Sequence, residues 1–150
     1  MQIELPHLSQ ETDYSCVPAC IRIVLQHLGH AHAELEICEA CKTSDRGTSQ
    51  NQAVAGIDKL GFDVSKLKGK PFDVIAQLLH EGTPVIVMLD VHQLPYAKDK
   101  AGLHAVVVNG FDGHHVSFID PARAEEIELP LDTFLRAWQE CGSLGLAIKP

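Results

Sequence analysis

The chain has 150 residues, of which 45% are hydrophobic and 21% charged, and this composition predicts one folded domain with a substantial core rather than a disordered chain. The formal net charge of −8 argues against a nucleic-acid partner, because affinity for phosphates depends on clustered lysine and arginine. The N-terminus lacks a secretory signal and no apolar run is long enough to span a bilayer, so we expect a cytoplasmic protein without a membrane span.

The first predicted element is an amphipathic helix. Apolar residues at positions 17, 20, 21, 24, 25 and 28 recur on one helical face, with Ser15 as a suitable N-cap and Gly29 as a suitable stop. Three weaker helices are predicted over residues 33–42, 49–60 and 71–81. The acidic residues Glu34, Glu36 and Glu39 are expected to form a solvated face of the second one.

The second half of the chain reads mainly as strands. Strands are predicted over residues 84–90, 104–111, 115–120, 125–129 and 143–148, with one further helix over 131–140. Helices followed by an antiparallel sheet predict an α+β fold.

Cys16 is a candidate nucleophile because it falls at the mouth of the first helix. A thiolate there faces unpaired backbone N–H groups and the positive end of the helix dipole, which lower the pKa of the thiol. The alternative is a small buried apolar residue, which is also the interpretation of Cys20 on the apolar face.

A thiol nucleophile requires an imidazole base and a group that orients it, and His104 and Asp120 are the candidates. A three-residue hairpin loop after Phe111 would pair that residue with His115 and place Val106 opposite Asp120. His104 and Asp120 would then share one sheet face as diagonal neighbours. A two-residue loop would separate them unless a bulge intervened. Gln10 is the candidate oxyanion donor, together with the Cys16 backbone N–H.

The five cysteines also allow a zinc interpretation, in which Cys38 and Cys41 have ordinary ligand spacing. No second pair with such spacing accompanies them, because Cys20 belongs to an apolar face. We therefore expect no metal and no cofactor, and thiols that stay reduced in the cytosol.

Three stretches, QETDYSCVPAC, RGTSQNQAVAGIDKLGF and HAVVVNGFDGHHVSFIDPA, resemble the bacteriocin-processing cysteine peptidases, cysteine peptidase family 39. The resemblance covers nearly the whole chain and implies a papain-like fold with N-terminal helices packed on an antiparallel sheet. It assigns the oxyanion donor to Gln10, the nucleophile to Cys16, the base to His104 and its orienting partner to Asp120.

The resemblance implies a peptide or protein substrate, with a double-glycine leader as the family's own substrate and an ABC exporter in trans as a further partner. The chain ends at Pro150 without a transporter region, which predicts a freestanding domain. Val17 stands where the family typically has glycine after the nucleophile. A peptide-binding module with the same fold and no hydrolysis is therefore the alternative function.

Overall fold

The computed structural model describes residues 2–97 and 102–149. The described residues form five α-helices, one short 3-10 helix (Val91–Gln93) and six strands. The helices are α1 (Cys16–His27), α2 (Glu34–Cys41), α3 (Gln50–Lys59), α4 (Phe72–His80) and α5 (Leu131–Gln139). The strands are β1 (Asp63–Leu67), β2 (Val85–Asp90), β3 (Leu103–Phe111), β4 (His115–Asp120), β5 (Glu125–Pro130) and β6 (Gly145–Lys149).

The six strands form one antiparallel sheet in the order β1-β6-β2-β3-β4-β5. Alternate residues of the central strands point to opposite faces and join separate apolar clusters. On one face Ala105 and Val107 pack with the apolar sides of α1, α2 and α3. On the other face Val106 and Val108 pack with α4 and α5, including the buried Trp138. The prediction of an α+β fold is confirmed.

The predicted helices and strands all appear, with ends that differ by a few residues, and β1 is the strand that the prediction missed. Its sequence, DVSKL, contains two apolar residues and lies at the edge of the sheet, where it pairs with β6. An edge strand that buries few side chains has no strong periodic signal.

The register between β3 and β4 differs from the predicted hairpin. Phe111 pairs with Val116, not with His115, and an extra residue at Asn109 forms a bulge between Val108 and Gly110. The bulge shifts the register by one residue, so that Val107 pairs with Ile119. If this register continues, residue 106 lies opposite residue 120. The sequence predicted the same alignment, but from a three-residue loop instead of a bulge.

Within residues 2–97 and 102–149, none of the helices combines the length and the apolar character that a bilayer crossing requires.

Candidate active site

The Cys16 thiol and the His104 imidazole meet where α1 crosses β3. Cys16 is the first residue of α1, and His104 is the second residue of β3. The two side chains lie close enough that the imidazole lowers the pKa of the thiol and the thiol raises the pKa of the imidazole. The backbone N–H groups of Val17, in the first turn of α1, and of Ala105, beside His104, also lower the pKa of the thiol. The start of the helix therefore supplies an amide to the sulfur, as expected for an unpaired N-terminal N–H group.

Asp120 lies behind His104, at the end of β4. His104 Nε2 is 2.6 Å from Asp120 Oδ1, a distance at which the ring N–H donates to the carboxylate. This contact leaves Nδ1 as the ring nitrogen that can face Cys16. Asp120 is 2% exposed, and its Oδ1 also accepts from the backbone N–H of Ala122 at 2.9 Å. Thiol, imidazole and carboxylate thus form a row, which we call the Cys16–His104–Asp120 row.

The pKa values in this row favour an ion pair. Burial alone would raise the pKa of Cys16, but the hydrogen bond and charge of His104 and the two amides lower it overall. Burial alone would lower the pKa of His104, but the hydrogen bonds and charges of Asp120 and Cys16 raise it to about 9. Burial likewise opposes ionisation of Asp120, yet its contacts with His104, Tyr96 and Ala122 bring its pKa below the ordinary value. The geometry therefore supports a thiolate beside an imidazolium.

Gln10 lies on the same cavity as His104 and Asp120, a polar cavity of about 620 Å³. Its backbone N–H donates to Pro121 O at 2.9 Å, which ties the segment before α1 to the end of β4. Its side-chain Nε2 donates to Thr12 O at 2.7 Å, so one of its two amide hydrogens is engaged within the loop.

The loop between Gln10 and Cys16 is held by Glu34 of α2. Glu34 Oε2 accepts from the backbone N–H of Glu11 at 2.8 Å and from Ser15 Oγ at 2.9 Å. The expectation that Glu34 belongs to a solvated face is wrong, because this side chain is 2% exposed. Ser15 occupies the N-cap position of α1, but its hydroxyl binds Glu34 and accepts from Thr12 N–H instead of capping. The first amides of α1 are therefore not covered by a cap.

Tyr96 is a site residue that the sequence did not suggest. It lies between β2 and β3, and its hydroxyl donates to Asp120 Oδ2 at 2.8 Å. Little in the sequence indicated this role: tyrosine occurs only twice in the chain, and the segment around Tyr96 has no hydrophobic periodicity.

A second, apolar cavity of about 230 Å³ is lined by residues adjacent in sequence to two members of the row. Its lining includes Val17, next to the nucleophile, and Leu103, next to the imidazole, and Leu103 lines the polar cavity as well. Val17 is 4% exposed, so its side chain is buried within that lining.

The cysteines considered for zinc do not gather: in the part of the chain that the structure describes, no group of three or more potential ligands is placed to hold a metal.

Comparison with known proteins gives a consistent result. The model of the family described as "Peptidase_C39 like family" matches residues 2–146. A structure of a C39-like peptidase from Bacillus anthracis is similar over 100% of this chain and 98% of that one, with a TM-score of 0.82 and 16% identity. The peptidase domain of Streptococcus ComA, described as a bifunctional ABC transporter involved in quorum sensing, is similar over 98% of each chain, with a TM-score of 0.75 and 22% identity.

A third solved structure is a double-glycine-motif protease from an AMS/PCAT transporter in complex with its leader peptide. It is similar over 99% of this chain and 94% of that one, with a TM-score of 0.77 and 21% identity. The search of curated proteins found no significant match. At these identities the structural likenesses establish the fold, which is that of the papain-like peptidase domains.

Proposed function

The chain belongs to the C39-like peptidase family, and from that premise we propose that it is a cysteine peptidase in which Cys16 attacks the peptide bond. The observation that carries the proposal is the Cys16–His104–Asp120 row, with His104 beside the thiol on one side and 2.6 Å from the carboxylate on the other. Acyl transfer by a thiol requires a nucleophile, a base beside it and a group that orients the base.

In the proposed reaction the Cys16 thiolate adds to the scissile carbonyl carbon, and the carbonyl oxygen becomes an oxyanion. The Cys16 backbone N–H and the second amide hydrogen of Gln10 would donate to that oxyanion. Protonated His104 gives its proton to the leaving amine as the C–N bond breaks, and a thioester remains on Cys16. Water, deprotonated by His104, then hydrolyses the thioester and restores the free thiol.

The proposed substrate is a peptide or protein that lies across the row, between the polar cavity and the apolar cavity. A related protease was solved with a leader peptide, which makes a double-glycine leader the first substrate to test. An ABC exporter acting in trans is the partner that such a substrate would require. A cytoplasmic location agrees with the five cysteines, all of which are free thiols.

The test is incubation with double-glycine precursor peptides, with the products identified by mass spectrometry. We expect cleavage by the wild-type protein and none by Cys16→Ala. Cys38→Ala is the matched control, because Cys38 lies half-buried on α2, outside the row, and its removal should leave cleavage unchanged. Cleavage that persists in Cys16→Ala would refute the assignment of the nucleophile.

A peptide-binding module without hydrolysis is the second candidate, and Val17 is the observation that favours it. Its side chain fills space beside the nucleophile where the family typically has glycine. Alkylation separates the two functions: iodoacetamide should label Cys16 at least about tenfold faster than Cys38 if the thiol is activated. Slow, equal labelling of both residues would favour the binding module.

A further inference from the structure

Tyr96 is held on two sides while it contacts Asp120. Its ring is half-buried against the apolar cluster formed by the sheet with α4 and α5. The guanidinium of Arg123 lies 5.2 Å from the ring centroid, within the range of a cation–π contact. A side chain fixed in this way can hold its hydroxyl in one place, so its hydrogen bond to Asp120 is not an accidental surface contact.

The hydrogen bonds of Asp120 are divided unequally between its two oxygens. Oδ1 accepts from His104 Nε2 at 2.6 Å and from Ala122 N–H at 2.9 Å. Oδ2 accepts from Tyr96 OH at 2.8 Å. A carboxylate that is bound through one oxygen can still turn about its Cβ–Cγ bond, whereas one that is bound through both cannot. Tyr96 therefore supplies the contact that determines the plane of the carboxylate.

We propose that Tyr96 is a positioning residue of this site, which fixes the plane of the Asp120 carboxylate and, through Asp120, the orientation of the His104 ring toward Cys16. This inference rests on the proposed function only for its effect on turnover, since its effect on the thiol is measurable without a substrate. Burial and the neighbouring Asp120 raise the pKa of Tyr96, so its hydroxyl remains a donor throughout the pH range in which His104 titrates.

The role has a definite consequence for the thiolate. Without the hydroxyl, Oδ2 loses its partner and the carboxylate turns toward water in the polar cavity. The hydrogen bond to His104 then weakens, the imidazolium loses part of its stabilisation, and the Cys16 thiolate that it supports forms only at higher pH. Because Tyr96 also lines the polar cavity, a direct contact with substrate is the competing role, and it would leave the titration of Cys16 unchanged.

The test is the pH dependence of Cys16 alkylation by iodoacetamide in Tyr96→Phe, followed residue by residue by mass spectrometry. We expect the inflection for Cys16 to move upward by about 0.5 to 1 pH unit, the size that loss of one of three hydrogen bonds to a charged group implies. Tyr14→Phe is the matched control, because Tyr14 is the other tyrosine and is 40% exposed; it should show no shift. An unshifted inflection in Tyr96→Phe would overturn the proposal.

The variant Asp120→Asn tests whether Tyr96 acts through the carboxylate. We expect Tyr96→Phe to cause no further shift when it is added to Asp120→Asn, and an equal shift in both backgrounds would contradict the proposed route. Circular dichroism confirms that each variant is folded. If a cleaved peptide is found, kcat should fall about fivefold in Tyr96→Phe while KM changes less than about twofold. A higher KM with unchanged kcat and inflection would make Tyr96 a substrate contact instead.

If the protein cleaves no peptide but the Cys16 inflection still shifts, the proposed function fails and the role of Tyr96 stands.

Discussion

At the scale of single residues, the pKa of Cys16 differs in direction from the pKa values of the other four thiols because of its neighbours and not because of its exposure. Burial raises the pKa of Cys20, Cys38, Cys41 and Cys141. Cys16 is subject to the same effect, but an imidazole and two amides reverse it. The thiolate is therefore concentrated at the position where α1 meets β3, and the reactivity of this thiol depends on the state of His104.

This dependence predicts the upper limit of the pH range for cleavage. In the proposed reaction protonated His104 gives a proton to the leaving amine, and the hydrogen bonds and charges of Asp120 and Cys16 raise its pKa to about 9. We expect kcat/KM to fall as the pH rises through about 9, because the imidazolium is lost there. In Asp120→Asn the fall should occur nearer to the ordinary imidazole pKa of 6.5. A wild-type fall near that lower value would show that the row does not form in solution.

Glu34 carries a second prediction at this scale, since it is a buried carboxylate that binds two groups of the loop between Gln10 and Cys16. Glu34→Gln replaces an acceptor oxygen by a donor and leaves a buried N–H or O–H group unsatisfied. We expect the free energy of unfolding to fall by about 1–3 kcal/mol, and Cys16 to alkylate more slowly.

Glu36→Gln is the matched control for the buried carboxylate. Glu36 lies on the same helix, with its side chain 53% exposed and paired with His32. Its replacement should change the free energy of unfolding by less than about 0.5 kcal/mol in urea titrations. Equal stabilities of the two variants would contradict a structural role for Glu34.

At the scale of elements, the bulge at Asn109 sets the register that places His104 and Asp120 on the same face of the sheet. The strands were predictable from apolar periodicity and the turn signal after Phe111, whereas the shared face for these two residues was predicted only through a three-residue loop that the structure does not have. The bulge was not, because it depends on a contact between residues distant in the chain. Ile3 N–H donates to Asn109 O at 2.7 Å, and Asn109 Nδ2 donates to Ile3 O at 3.0 Å and to Glu126 Oε1 at 2.8 Å.

Asn109→Ala should therefore destabilise the bulge and, with it, the alignment of the row. Asn109 is 1% exposed, and its loss leaves a backbone carbonyl and a carboxylate without their donor. We expect the free energy of unfolding to fall by about 1–3 kcal/mol, and the preference of iodoacetamide for Cys16 over Cys38 to decrease. Asn51→Ala is the control, because Asn51 is exposed and binds Lys66 at the surface. A variant at Asn109 as stable as this control would show that the bulge does not need the side chain.

Two other features of the site could not be predicted from the sequence, because they too depend on contacts between residues distant in the chain. Glu34 is separated from Ser15 by 19 residues and Tyr96 from Asp120 by 24. Each residue looks unremarkable in its own segment: Glu34 begins a short acidic helix, and Tyr96 follows a buried strand. Local patterns predict which face of an element is apolar, but a buried polar contact between elements requires their relative placement. The sequence consequently pointed to Cys16, His104 and Asp120, which the structure brings together, and missed the residues that hold their surroundings in place.

At the scale of the whole molecule, one sheet separates two apolar clusters, and the row lies at an end of the strands that both clusters share. Cys20, on the face covered by α1–α3, is 0% exposed, and Trp138, on the opposite face, is 1% exposed. Successive residues of β3 alternate between the two clusters. Loss of packing on one face therefore removes the support of strands that the other face needs, so the two clusters should unfold together.

Urea unfolding tests this prediction with one probe on each face. We expect the change in Trp138 fluorescence and the onset of Cys20 alkylation to have midpoints that agree within about 0.2 M urea, as a two-state transition of a single domain requires. Cys38, half-buried on α2, should already alkylate in the folded protein, below that midpoint, and serves as the control for reagent access. Alkylation of Cys20 at clearly lower urea than the fluorescence change would mean that α1–α3 separate from the sheet as a unit. Because Cys16 belongs to α1 and His104 to β3, the row would then be lost before the rest of the fold.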